Sequence, residues 1–325
     1  MALDELTIID RFFRPLAGEG SFGLVDDAAR LAAPPDCDLV VTSDMIACGV
    51  HFLPGDPADL VARKALRVNL SDLAAKGAKP LAYVLSLGLP AGTGESWLTA
   101  FAAGLRADQE RYGLALLGGD TIDVEAGPVV SVTAFGAAPG GRMVHRFGGR
   151  AGDRLYVSGV IGRAAAGLAL LKGDAGPWDA LAAPAKDALV RSYRVPEPRM
   201  SLAPVLAEFA SAAMDVSDGL VGDCDKLAAA SGCLAEIHAE DVPLPAGLAA
   251  NEVVLARLLT AGDDYEILAA VPPGREDAFR RAAAAVGEPL VPIGVLREGT
   301  GSTRTMHRGR ELALGGRAYV HGRRA

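Results

Sequence analysis

Six aspartates stand where their type and neighbours could hold hard cations. Asp27 ends a Gly-rich segment, Asp44 follows the apolar run Leu39-Val40-Val41 with Thr42 and Ser43 between, and Asp120 follows Gly118-Gly119. Asp215 and Asp218 share the run Met214-Asp215-Val216-Ser217-Asp218-Gly219, and Asp72 lies in a helical stretch. Any one of these reads equally well as a helix cap or a turn residue. Together, in apolar surroundings, such carboxylates neutralise one another only through bound cations. Oxygen donors with no His/Cys cluster favour Mg²⁺ over zinc, and Thr42 and Ser43 add further oxygens. Carboxylate-held Mg²⁺ lets an acidic protein bind polyphosphate, so nucleotides become the expected ligands. The chain has no GxxxxGK[ST] loop, no GxGxxG after a strand and no kinase HRD or DFG set, which excludes the common nucleotide architectures.

Asp72 stands out by helical winding. At 100° per residue, Leu60 to Lys76 places Arg63, Lys64, Arg67 and Ser71 on a polar stripe, with Val61, Ala65 and Val68 roughly opposite. Asp72 falls on the apolar side with Asn69 and Lys76, where an unpaired carboxylate is costly. It demands a cation, either the i+4 Lys76 or a bound metal ion.

The elements that must position these groups belong to a chain of 325 residues, long enough for two domains at roughly 150 residues each. Half the residues are apolar and 22% are charged, a composition that folds around cores. The net charge of −8 and the absence of a Lys/Arg run argue against nucleic acid or an anionic membrane as a partner. Four cysteines without CxxC spacing predict reduced thiols, no zinc and a cytoplasmic setting. No basic and apolar leader opens the chain, and the apolar stretch Leu81 to Ala91 falls short of the roughly 20 residues that span a bilayer.

Periodicity predicts mixed α and β structure. Met1 to Phe13 reads as a helix, Asp38 to Thr42 as a strand, Ala58 to Lys76 as a helix, and Ala82 to Leu89 as a strand. A helix from Glu95 to Tyr112 and strands at Leu114 to Leu117 and Val129 to Phe135 follow. The Gly-rich turn near Phe147 to Asp153 marks a domain boundary, giving domains 1–148 and 149–325. Beyond it, a strand at Leu155 to Ser158 leads to a helix ending near Leu171, strand-to-helix units fall at Ala212 to Ala230 and Ala261 to Val286, and Lys172 to Ala185 reads as a surface loop. These spans put Asp44, Asp120 and Asp215 at or just beyond strand ends, where sites form.

The ordered motifs resemble the thiamine-monophosphate kinase family, within the superfamily of aminoimidazole ribonucleotide synthetase, selenophosphate synthetase and hydrogenase maturation ATPases. They are Asp26-Asp27, Thr42-Ser43-Asp44 with Gly49-Val50-His51-Phe52, Asn69-Leu70-Ser71-Asp72-Leu73-Ala74-Ala75, Gly118-Gly119-Asp120-Thr121, Asp215-Val216-Ser217-Asp218-Gly219-Leu220 and Gly262-Asp263-Asp264-Tyr265-Glu266. The resemblance implies an α+β, two-domain fold like that of aminoimidazole ribonucleotide synthetase, with amino-terminal sheets of two copies pairing into a barrel across a homodimer. The second domain would complete the ATP and substrate site. It implies phosphoryl transfer from ATP to thiamine monophosphate with several Mg²⁺ ions. Asp27, Thr42, Ser43, Asp44, Asp72, Asp120 and Asp215 match metal ligands, and Asp218 matches a further Mg²⁺ contact. Gly119, Asp120, Arg146 and Ser217 match positions that touch ATP, while His51, Asp263 and Tyr319 match substrate contacts. The superfamily also holds other ATP-dependent synthetases and phosphotransferases, and a catalytically silent ATP-binding homodimer is the remaining alternative. The chain departs from the family at Met45, at Asp263 in place of Glu, and at Val25 in place of Gly, where a left-handed backbone would strain a β-branched residue.

Overall fold

The computed structural model describes residues 3–248 and 251–319. The helices are α1 (Glu5–Ile8), α2 (Ala58–Ala75), α3 (Glu95–Tyr112), α4 (Arg163–Lys172), α5 (Ala183–Arg194), α6 (Ala203–Phe209), α7 (Leu220–Ala230), α8 (Glu252–Thr260) and α9 (Glu276–Ala285). The strands are β1 (Cys37–Ala47), β2 (Lys79–Pro90), β3 (Ala115–Val124), β4 (Val129–Pro139), β5 (Arg154–Ser158), β6 (Ala212–Val216), β7 (Leu234–His238), β8 (Glu266–Val271), β9 (Leu290–Arg297), β10 (Arg304–His307) and β11 (Arg310–Glu311). No helix among the described residues is long and apolar enough to cross a membrane. The four cysteines are free thiols.

The chain divides into two compact units: residues through Leu73 with Ala78–Gly141, and Ala74–Gly77 with the residues from Arg142 onward. The first unit holds a four-stranded sheet ordered β1-β4-β2-β3, antiparallel except for the β2–β3 pair. Period-two alternation along β1 and β4 buries Val40, Ile46, Val130, Val132 and Ala134 on one face. Thr42 and Asp44 pair with Ala134 and Val132 on that same face, where α2 reaches them. The opposite face of β1 leaves Leu39, Val41 and Met45 exposed.

The winding of α2 correctly separates two faces, but the stripe of Lys64, Arg67 and Ser71 is as buried as the apolar one. The adjacent helix α3 explains this, because its buried Asp108 accepts from Arg67 Nε at 2.7 Å and Nη2 at 2.9 Å, and from Arg63 Nε at 3.2 Å. A carboxylate supplied from outside the helix thus compensates the cations.

The second unit is built on a seven-stranded sheet ordered β11-β10-β7-β9-β5-β8-β6. Both of its faces are covered, so β6 and β8 are buried along their whole length and show no alternation of apolar and polar residues, their only charged members being the buried Asp215 and Glu266. Leu155, Val157, Met214, Val216 and Leu268 pack with α7 and α8 residues on one face. Tyr156, Ala213, Ile267 and Ala269 pack with α6 and α9 residues on the other.

The segment Lys172 to Ala185 is not a plain surface loop. A 3₁₀ turn at Pro177–Ala180 inserts Trp178 into a small core with Ala166, Ala169 and Leu189, and α5 begins at Ala183. At the amino end, the residues after α1 form a π-helical turn, Ile9–Phe13, in place of a continuous α-helix.

Candidate active site

In the first unit the strands are longer than periodicity suggests, so Asp44 and Asp120 lie inside β1 and β3 and not beyond their ends. Half-buried Asp72 accepts a hydrogen bond from Thr42 Oγ1 at 2.5 Å, and the Asn69 side-chain oxygen accepts from the Asp44 amide at 3.0 Å. One turn of α2 therefore fixes both Thr42 and Asp44. The described hydrogen bond of Asp72 is the one from Thr42, and the Lys76 ammonium donates to the Ala213 carbonyl at 2.9 Å. Ser43 projects from the other face of β1, where its hydroxyl lies 3.0 Å from that of Thr133.

Asp120 pairs with Ser86, which pairs with Ser131 opposite Met45, so its row is the one that alternates with the Asp44 row. Asp120, Gly119, Asp26 and Asp27 line a cleft of about 460 Å³ on the first unit. Asp27 and Asp120 are exposed, a correction to their apolar setting in the sequence. Gly119 lies so near β2 that a Cβ would sit 1.7 Å from the Leu85 carbonyl oxygen, so the position admits only glycine.

His51 occupies the loop after β1. Its Nδ1 accepts from the Ala47 amide at 3.1 Å, and buried Lys64 donates to its carbonyl at 2.7 Å. Accepting at Nδ1 assigns the proton of the neutral ring to Nε2, the atom that can donate to an anion.

In the second unit the fold gathers Asp215, Ser217, Asp218, Asp263 and Tyr319 around the carboxyl end of β6. Asp215 is buried in the strand, the Ser217 carbonyl accepts from the Asp263 amide at 2.8 Å, and the Asp218 carbonyl accepts from the Tyr319 amide at 2.9 Å. Arg146 is exposed, and its neighbour His145 accepts from the Ala213 amide on β6 at 2.9 Å. Sequence reasoning missed Asp223 and Lys226. Fully buried Asp223 accepts from the Asp218 amide at 3.0 Å and from Lys226 Nζ at 2.7 Å, while Lys226 also pairs with the Asp218 carboxylate. Burial pushes the Asp223 carboxyl above its ordinary value, and the Lys226 contact opposes that rise. Helical winding marks this acid as it marks Asp72, since Asp223 sits among Leu220, Val221, Cys224 and Leu227.

Among the described residues, no three His, Cys, Asp or Glu side chains gather to hold a single ion. The donors present are carboxylate and hydroxyl oxygens in ones and twos. That set fits Mg²⁺, which keeps several waters and takes one or two carboxylates, and does not fit a closed zinc cage.

The loop before β8 carries a second acid, Asp264, whose carboxyl group lies deep and accepts from the Gly162 and Ala164 amides at 2.6 and 3.1 Å. Burial pushes it up to about 8 against those two hydrogen bonds, with Glu266 and Asp263 adding to the rise. Between its unfolded value near 3.8 and about 8 the folded chain holds a proton the unfolded chain has released, so stability falls as pH rises through that window. The melting temperature of the native chain should therefore fall more between pH 6 and pH 8.5 than that of Asp264→Asn. Equal slopes in scanning fluorimetry would contradict the assignment.

Comparison with known proteins matches residues 25–138 to the AIR synthase related protein N-terminal domain, and residues 150–307 to the C-terminal domain of the same family. The thiamine-monophosphate kinase of Caulobacter vibrioides is 42% identical over 327 residues, covering 98% of this chain and 91% of its own. The chain belongs to the thiamine-monophosphate kinase family. The crystal structure of the Stenotrophomonas maltophilia family member aligns with a TM-score of 0.82 at 35% identity, covering 96% of this chain and 99% of that one. AaThiL complexed with AMPPCP and TMP aligns with a TM-score of 0.76 at 29% identity, covering 98% and 99%.

The departures from the family pattern fit the backbone. Val25 has φ −112°, an ordinary right-handed value, so its β-branched side chain meets no strain. Asp263 has φ 74°, a left-handed conformation that Asp adopts more readily than most residues. A shorter acid at this family position is compatible with the turn.

Proposed function

We infer that this chain catalyses transfer of the γ-phosphoryl group of ATP to the phosphate of thiamine monophosphate, giving thiamine diphosphate, with Mg²⁺ held by its aspartates. The carrying observation is the end-to-end match to thiamine-monophosphate kinases, joined to a solved relative that holds AMPPCP and TMP.

Asp44, Asp72 and Thr42 in the first unit, and Asp215 and Asp218 in the second, would hold Mg²⁺, with Asp27, Ser43 and Asp120 as further oxygen donors. When bound, Mg²⁺ neutralises charge on the phosphate oxygens and aligns donor with acceptor. Arg146 offers a planar fork of donors to a phosphate oxygen, and Gly119 and Ser217 are the other ATP contacts of this reading. His51 donates through Nε2–H toward the acceptor phosphate, and Asp263 and Tyr319 receive the rings of thiamine monophosphate. The second ionisation of a phosphate monoester lies near pH 6, so the acceptor oxygen is already anionic at neutral pH and no side chain need remove a proton. A homodimer completes the reading, supported by the exposed row of Leu39, Val41 and Met45 on edge strand β1, an apolar strip that a second copy would cover.

The test is incubation of purified protein with ATP, MgCl₂ and thiamine monophosphate, with thiamine diphosphate and ADP quantified by chromatography. Equimolar formation of both is expected, abolished by EDTA. ATP turnover without thiamine diphosphate would assign the chain to another reaction.

A further inference from the structure

The last described stretch of the chain runs from β11 to Tyr319 without regular structure, yet it is tied down at Leu312, Arg317 and Tyr319. Leu312 is buried and its amide donates to the Thr305 carbonyl at 2.7 Å. Arg317 Nε and Nη2 donate to the two oxygens of Asp225 on α7 at 2.7 and 2.8 Å, and Nη2 also reaches the Thr303 carbonyl at 2.8 Å. The Thr303 amide donates to the same carboxylate. Burial works to raise Asp225, but the Arg317 and Thr303 hydrogen bonds hold its carboxyl below the ordinary value. Next to this pair, a Cβ on Gly222 of α7 would lie 2.3 Å from the Ala318 Cβ, so the glycine is what lets the segment lie against the helix. The following amide, that of Tyr319, donates to the Asp218 carbonyl, while about half of the tyrosine surface stays exposed.

We propose that Arg317 is a positioning residue for the acceptor substrate, clamping the carboxy-terminal segment to α7 through Asp225 so that Tyr319 stands at the Asp215–Asp218 loop. A planar guanidinium bonded to both carboxylate oxygens fixes orientation as well as distance. An aromatic ring on a backbone held two residues away loses little further freedom when it meets a ligand ring. The inference rests on the reading of Tyr319 as a contact of thiamine monophosphate.

The test is steady-state kinetics of the full-length chain for Arg317→Ala, Arg317→Lys, Asp225→Asn, Tyr319→Ala and the double variant Arg317→Ala/Tyr319→Ala. Arg317→Ala should raise KM for thiamine monophosphate about tenfold, the scale of one lost charge-assisted pair, with kcat and KM for ATP unchanged. Asp225→Asn should reproduce that effect and Arg317→Lys recover part of it. The double variant should be no worse than Tyr319→Ala alone, because both act through one ring. Additive losses, or an Arg317→Ala variant that loses kcat and ATP affinity alike, would overturn the clamp as a device for the acceptor. A Tyr319→Ala effect with no Arg317→Ala effect would remove the clamp and keep the substrate reading. No effect from Tyr319→Ala would remove both.

Discussion

Replacing Asp72 by Asn should lower kcat for thiamine diphosphate formation by about two to three orders of magnitude, the scale of losing one electrostatic contact to a transition state. The carboxamide keeps the size of the side chain, and its oxygen can still accept from Thr42 Oγ1, so the α2–β1 contact survives. What disappears is the charge. A phosphoryl transfer driven by positioning and charge neutralisation has no alternative source for that contribution at this point of the site. Circular dichroism and melting temperature should match the native chain. A variant with near-native kcat would deny Asp72 its role in holding Mg²⁺.

The second large effect is on stability. Asp108→Asn removes the carboxylate that the Arg67 guanidinium, about 1% exposed, meets on α3. Breaking a buried pair from one side costs about 3 to 5 kcal/mol, because the remaining charge is stranded. In a unit of this size that corresponds to a fall of roughly 10 °C in melting temperature. Removing both partners with Arg67→Met and Asp108→Leu should recover much of the loss, since an apolar pair of similar volume strands no charge. Scanning calorimetry on the single and double variants decides it. A single variant that melts within 2 °C of the native chain, on a threshold of about the effect of 1 kcal/mol or less, would show that water reaches Arg67.

How far the sequence speaks differs from residue to residue. The span of α3 is legible to the residue because its periodicity is unbroken and Gly113 ends it, and Asp72 was legible as an acid out of place on α2. The polar stripe of α2 was not. Periodicity separates faces, but only α3 reveals that the charged face is covered, and its Asp108 lies 41 residues from Arg67. Strand ends were similarly hidden. Asp44 and Asp120 look like terminators by composition, yet the ladder continues past both because their neighbours still satisfy backbone partners. The motifs of the site were readable as types and order, and winding put Asn69 beside Asp72, but its contact with Asp44 was hidden, and Lys226 under Asp218 and Arg317 behind Tyr319 belong to none of the motifs. Trp178 shows the same limit, as a Gly- and Pro-bearing stretch reads as surface until its aromatic is seen packed beneath α4 and α5.

The joining of ATP to thiamine monophosphate is expected to depend on divalent cations held by aspartates far apart in the chain. The most direct measurement of that dependence is anomalous diffraction from crystals of this protein grown with Mn²⁺, AMPPCP and thiamine monophosphate. Manganese peaks are expected against the carboxylates of Asp44, Asp72 and Asp215, with phosphate oxygens completing each coordination sphere. Bound nucleotide and thiamine monophosphate with no metal peak on any of these carboxylates would contradict it.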